Sequence, residues 1–239
     1  MKQFFALNQR NRQPELMDQP GLDPTEHAAA LRGLARVNWF SGSTGILWRP
    51  LHRLALANAG KPLRILDLAT GSGDIPIRLW RRFRRAKLPV EIAGADLSAK
   101  ALEEARKRAE SAGASVQFFP LDAVHDPLPD DFDVITCSLF LHHLENEEAV
   151  DLLRRMGQSA RQMVLVNDLV RSRIGYLLAF ASSRVLSRSP VVHFDGPCSV
   201  AAAFTTDEAR QMAHRAGLEG ARVDWRWPWR YLLQWQRGR

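Results

Sequence analysis

The stretch that most constrains this chain is Ile65-Leu66-Asp67-Leu68-Ala69-Thr70-Gly71-Ser72-Gly73-Asp74-Ile75, an apolar run that stops at an acid and opens into a pair of glycines. Leu63, Ile65, Leu66 and Leu68 make the near-continuous apolar run of a strand covered on both faces. Gly71 and Gly73 let backbone N–H groups approach a ligand with no Cβ in the way. The stretch reads as a buried strand, a tight loop and a helix start, with a ligand at the strand's carboxyl end.

The same rhythm repeats downstream. Val90 to Ser98 is a second strand ending in Asp96, with Ser98 as cap of a helix over 99–112 that closes at Gly113. Val116 to Phe119 is a third strand, followed by Asp122 and Ala123; Phe132 to Phe140 is a fourth, followed by Leu141-His142-His143-Leu144 and a helix ending near Gly157. Gln162 to Asp168 is a fifth. Alternation of this kind predicts an α/β fold with a doubly wound, mostly parallel sheet. Ala221 to Trp235 reads as a closing antiparallel hairpin whose tryptophans lie at a sheet edge or touch a membrane.

Two segments break the rhythm. Asp23-Pro24-Thr25-Glu26 signals a helix running to about Val37, and Asn38 to Arg49, rich in Ser, Gly and aromatics, reads as a non-helical lid. Residues 1–60 are then a helical extension and lid on a main domain over 61–239. After the fifth strand, an apolar helix punctuated by Arg171, Arg173, Arg184 and Arg188 leads to a loop at His193-Phe194-Asp195-Gly196-Pro197, so 169–197 is expected to be a substrate-covering insertion. Thr205-Thr206-Asp207-Glu208 is a further capping box.

A chain of 239 residues with 46% hydrophobic content suffices for one such domain with a proper core. Only Cys137 and Cys198 occur, without metal-ligand spacing, which fits a reducing cytoplasm. The first twelve residues lack an apolar core and cleavage site, and the longest apolar stretch, Ile174 to Leu186, is too short to span a bilayer. The net charge of +7 raises nucleic acid or an anionic surface as partners. Most of that charge is scattered arginine, and the run at Arg78 and Arg81 to Arg85 falls on the solvated face of a helix that packs through Ile75, Leu79, Trp80 and Phe83. A small molecule is the expected partner.

Spacing decides which ligand the glycine loop takes. A dinucleotide fingerprint needs a third small residue at position 76, and Pro76 stands there. Asp67 and Asp74 would repel a pyrophosphate but suit a ligand with an amino group and a sulfonium charge. Asp67 to Gly73 resembles motif I of the class I S-adenosylmethionine-dependent methyltransferases, D/E-x-G-x-G-x-G, with Ala69 replacing the first glycine as its smallest substitute. The resemblance runs from about residue 25 onward and implies a Rossmann-like seven-stranded fold with S-adenosylmethionine as cofactor. It implies cofactor contacts from Asp67, Ala69, Thr70, Gly71, Gly73, Asp74, Leu97, Ser138 and Leu139. Asp96 would accept both ribose hydroxyls, and Asp122 the adenine amino group with Ala123 alongside. The other reading of Asp122 is a turn-former ahead of Pro127.

Ala203 to Glu208 followed by Ala216-Gly217-Leu218 is similar to the ubiquinone and menaquinone biosynthesis methyltransferases. Pro14 to Asp18 and Asn167 to Ser172 resemble bacterial methyltransferases of phenolic polyketide or quinone pathways. The acceptor these imply is an aromatic hydroxyl or an activated ring carbon. A hydroxyl needs a base, and His142, His143 and His193 are the candidates. Asn38, Trp39, Phe40, Trp48, Asp168, Arg171, Tyr176 and Phe180 are expected to line an apolar acceptor pocket. No metal is expected, because the fourth strand ends without an acid. Methylation of RNA and NAD-dependent oxidoreduction are the competing readings, peripheral membrane contact is compatible with the first, and monomer and homodimer are both open.

Overall fold

In the computed structural model, residues 7–18, 23, 42–58 and 60–238 are described. The expected helix over 23–37 and the segment around Asn38, Trp39 and Phe40 lie outside them, save Asp23. The strands are β1 (Leu63–Leu68), β2 (Val90–Asp96), β3 (Val116–Pro120), β4 (Val134–Ser138), β5 (Met163–Leu169), β6 (Arg222–Arg226) and β7 (Arg230–Gln236). They form one sheet in the order β3-β2-β1-β4-β5-β7-β6. The first five are parallel, and β7 pairs antiparallel with both β5 and β6, as the closing hairpin requires.

Neighbouring residues of β1 point to opposite layers. Leu66 and Leu68 join Ile135, Cys137, Val164 and Val166 on one face, packed on helix α4 (Asn146–Ser159) and helix α7 (Thr206–Arg215). Ile65 joins Ile92, Val134, Leu165 and Leu232 on the other, against helix α1 (Ser43–Ala57) and helix α2 (Asp74–Arg85). A third small core joins Ile77 of α2 to Leu102, Ala105 and Ala109 of helix α3 (Ala99–Ser111) over Phe118. Both faces of the parallel strands are covered, which is why their sequences are apolar without alternation.

Caps follow the sequence closely. Ser98 Oγ accepts the Ala101 N–H, and Thr205 and Glu208 form the reciprocal box at the start of α7. Two segments do not match expectation. Ser43 to Arg49 is helical rather than a loop, because Gly42 supplies a left-handed entry (φ 69°) and Leu47 and Leu51 bury fully against the sheet. His193 to Pro197 lies inside helix α6 (Pro190–Ala202), not in a loop. There Val191, Val192, Cys198 and Val200 are buried, and this tertiary packing overrides the Gly-Pro signal. Helix α5 (Arg173–Leu186) precedes it, and together they are the insertion after β5. The fourth strand is also shorter than expected, since Leu139 turns to φ 56° and ends it.

Candidate functional site

Strand order reverses between β1 and β4, so the sheet opens a crevice at their carboxyl ends, where ligands of open α/β folds sit. Asp67, next to last in β1, is almost fully buried. Its two oxygens accept hydroxyls from Thr70 (2.8 Å) and Thr136 (2.6 Å), and burial pushes its pKa up to about 6 against those hydrogen bonds. It thus shapes the loop from beneath. The backbone then passes through left-handed conformations at Ala69 (φ 50°), Gly71 (φ 54°) and Gly73 (φ 76°). Alanine fits in volume at 69, but the left-handed backbone carries a penalty of about 1–2 kcal/mol that glycine avoids.

The two glycines differ. A Cβ on Gly73 would stand 2.9 Å from Phe118 Cζ and 3.0 Å from Ala105 Cβ, whereas a Cβ on Gly71 meets nothing within 4 Å. Gly73 lets helix α2 pack closely; Gly71 leaves the open side of the loop clear. Asp74 turns to Arg108, 2.9 Å away, and Arg108 also donates to Ser72 Oγ. Its charge is therefore offset by a cation that sequence reasoning missed, one helix further on.

Asp96 Oδ2 accepts the Gly71 N–H at 2.7 Å and Oδ1 accepts the Ser98 N–H at 2.9 Å, leaving acceptor capacity on both oxygens. Leu97 beside it is 70% exposed, an unusual position for leucine. Asp122 behaves as a turn-former: it accepts from the Val124 and His125 N–H groups and lies 2.9 Å from His125 Nδ1, and the histidine bond foremost lowers its pKa. Ala123 is buried next to it.

At the ends of β4 and β5, Ser138 stands opposite Asn167, and Leu139 donates its N–H to the Asn167 carbonyl at 2.9 Å. Among the described residues, the Ser138 hydroxyl, both side-chain polar atoms of Asn167 and the Tyr231 hydroxyl are buried without a hydrogen-bond partner. Ser138 and Asn167, in register on neighbouring strands, share the α1 face of the sheet, while Tyr231 lies on the opposite face in register with Asp168; unpaired buried polar atoms of this kind are rare in a finished core. On the Tyr231 side, His142 Nδ1 lies 2.7 Å from Asp168 Oδ1, and its Nε2 lies 4.0 Å from Glu15. Burial works against the imidazolium, but Asp168 and then Glu15 outweigh it and hold the pKa above the ordinary histidine value. His143, its ring centroid 4.2 Å from that of His142, is pushed down to about 3 by burial and by that neighbour. Glu15, His142 and His143 bring their ligand atoms within 4.8 Å of one another, a convergence the sequence did not announce.

Glu15 belongs to an N-terminal strap across this edge. Arg10 donates to the carbonyls of His142, Leu144 and Ala202; Arg12 reaches the His143 carbonyl and Glu145; Ser199 donates to Glu15; and Asp195 accepts the N–H groups of Leu16 and Met17. Arg171, expected on the acceptor, is instead a buried tie to the Leu7 and Ala203 carbonyls and to Glu208. Asp168 likewise faces His142. Trp48 is a packing residue, edge-on to Phe83 at 5.0 Å and beside His52. Tyr176 is half-buried, while Phe180 is exposed with the Arg184 guanidinium 3.5 Å over its ring. His193 Nε2 lies 2.8 Å from the Ser187 carbonyl, which requires a proton on that nitrogen.

The crevice suits S-adenosylmethionine: the loop is clear above Gly71, Asp96 retains acceptor capacity, and Leu97 offers an exposed apolar side chain for a flat ring. A methyltransferase-domain family matches residues 65–162, from β1 to the start of β5. A demethylmenaquinone methyltransferase of Thermus thermophilus is 40% identical over 115 residues, 47% of this chain and 50% of that protein. The chain thus spans half the length of that relative. A ubiquinone biosynthesis O-methyltransferase of Thiobacillus denitrificans is 28% identical over 72% of this chain and 75% of its own. The fold is that of magnesium protoporphyrin IX methyltransferase from Synechocystis PCC 6803, solved with SAH bound (TM-score 0.57, 16% identity, 92% and 91% of the two chains). Sheet order, glycine loop and strand-end acids agree with that match, and residues 65–162 form a methyltransferase domain of the S-adenosylmethionine-binding fold.

Proposed function

We propose that the protein methylates a small aromatic acceptor of the phenol or quinol type at a hydroxyl oxygen. The observation that carries this reading is the buried Asp168–His142 pair, 2.7 Å apart at the carboxyl ends of β4 and β5. Bound S-adenosylmethionine supplies an electrophilic methyl on a sulfonium. The chain's own part is to orient the acceptor and take up its proton.

Asp96, Leu97 and the Gly71 opening hold the cofactor, with Asp67, Thr70 and Thr136 fixing the loop beneath them. His142 has its ring oriented by a carboxylate, Asp168, at 2.7 Å. Asp168 on Nδ1 fixes that nitrogen as the protonated one and leaves Nε2 to receive the acceptor's proton. His143, with a pKa near 3, is neutral at working pH and too weak a base for a phenol. Transfer to a ring carbon is the second reading, favoured by a 36% identical ubiquinone/menaquinone biosynthesis C-methyltransferase of Desulfotalea psychrophila that matches 43% of this chain and 39% of its own.

The test is incubation of the protein with S-adenosylmethionine and a panel of catechols, hydroxybenzoates and naphthoquinols, with the products resolved by mass spectrometry and NMR. An O-methyl ether supports the first reading and a new ring methyl the second. Absence of turnover on every member, with cofactor binding intact, rejects the aromatic acceptor class.

A further inference from the structure

Helix α5 is built inside out. Its fully buried residues are Gly175 and Ser183, with Ala179 between them, and the helix approaches α6 closely enough that a Cβ on Gly196 would stand 3.4 Å from Ser183 Cβ. The large apolar side chains point the other way: Ile174, Leu177, Leu178 and Val185 are 54%, 52%, 39% and 81% exposed. Their spacing of i, i+3, i+4 and i+11 puts them on a single stripe. An ordinary surface helix buries such a stripe.

The stripe continues onto the hairpin. A Cβ on Gly175 would meet Trp229 Cδ1 at 3.2 Å, so the β6–β7 turn seats directly on α5. Trp229 carries Trp225 and Trp227 against it, at ring separations of 5.6 and 6.2 Å, and those two are 48% and 68% exposed. Among the described residues, charge on the insertion is positive, and on the hairpin Asp224, beside Trp225, is offset by Arg226 at 3.0 Å. Arg173, Arg184 and Arg188 are exposed, and the only carboxylate between Leu169 and Thr206, Asp195, is buried on the N–H groups of Leu16 and Met17.

We propose that the outer face of α5 and the Trp225–Trp229 turn form a docking surface for an anionic lipid bilayer. An exposed apolar stripe flanked by arginines, with tryptophans at one end, is the composition of a helix lying in the plane of a membrane interface. The arginines at 173, 184 and 188 favour anionic headgroups. The helix, about 21 Å long at 1.5 Å per residue, would lie flat rather than span. Because α5 leaves the carboxyl end of β5, docking places the crevice's edge against the lipid, whichever acceptor atom is methylated.

The test uses the full chain without acceptor. Co-sedimentation with vesicles of phosphatidylglycerol and phosphatidylcholine should exceed that with phosphatidylcholine alone, fall with salt, and shift tryptophan emission to the blue. L178E combined with V185E should weaken partition by on the order of tenfold or more, with the melting temperature unchanged because both sites are exposed. No binding to anionic vesicles at low salt, or equal binding by the double variant, overturns the proposal. So does a vesicle-free dimer that the double variant turns into a monomer, which assigns the face to a second copy. Strong amide protection across Ile174 to Val185 that the variant abolishes in a vesicle-free monomer assigns it to another segment of the same chain and likewise overturns it.

Discussion

Oδ2 of Asp96 accepts the N–H of Gly71 at 2.7 Å, so the acid that closes β2 also holds the loop that follows β1. Asp96→Ala is expected to weaken S-adenosylmethionine binding by roughly 1.5–3 kcal/mol, the worth of hydrogen bonds to a charged group, and to loosen the loop. Calorimetric titration of the folded variant checks this. Wild-type affinity would remove Asp96 from the cofactor site.

His142 is expected to give a loss in turnover on the order of 10²–10⁴-fold when replaced by Gln, with cofactor affinity retained. Asp168→Asn should also slow turnover, since it removes the carboxylate that raises the imidazole's basicity. A base works deprotonated, and this pKa lies above the ordinary histidine value, so activity should rise with pH on the alkaline side of about 6.5. In Asp168→Asn the acidic limb should move to lower pH. An unmoved pH–rate profile separates Asp168 from the reaction.

Gly71→Ala and Gly73→Ala should fail differently. At 73 the new Cβ would strike Phe118 at 2.9 Å, and the expected loss of stability is about 1–3 kcal/mol. At 71 the site is open, so the melting temperature should fall only by the left-handed backbone penalty while cofactor affinity falls further. Paired thermal melts and titrations distinguish them; equal effects on both quantities would contradict the division of labour.

Asp67→Asn is expected to stabilise the cofactor-free protein at neutral pH. With a folded pKa of about 6 against 3.8, the fold penalises the carboxylate, and the penalty appears as pH rises through that interval, reaching roughly 3 kcal/mol above it. The gain in melting temperature should therefore be larger at pH 8 than at pH 4. A gain independent of pH would show that Asp67 is not titrating as described.

The sheet and its glycine loop are legible in the sequence because the signals for them are local. Apolar runs, terminal acids and caps such as Ser98 and Thr205 act within a few residues. The misread segments are those decided at long range. Ser43 to Arg49 becomes helix because Leu47 and Leu51 find a sheet face, and His193 to Pro197 because α6 is buried around Val191 and Val200. The site shows the same division. Gly71, Asp96 and Leu97 are marked by their neighbours in sequence, but nothing near Arg108 announces Asp74, and nothing near Glu15 announces His142. Arg171 and Trp48 have the residue types of a binding wall and are spent on the strap and the core.

The insertion of β7 between β5 and β6 has a consequence for how the chain is made. β5 lies inside the finished sheet, but the strand that covers it begins about 60 residues later, after two helices of the insertion and α7 have been synthesised. During that interval on the ribosome, Met163 to Leu169 is a long, apolar, unpaired edge able to recruit any extended segment nearby. The nascent protein's exposure to mispairing is thus set by translation speed across 170–229.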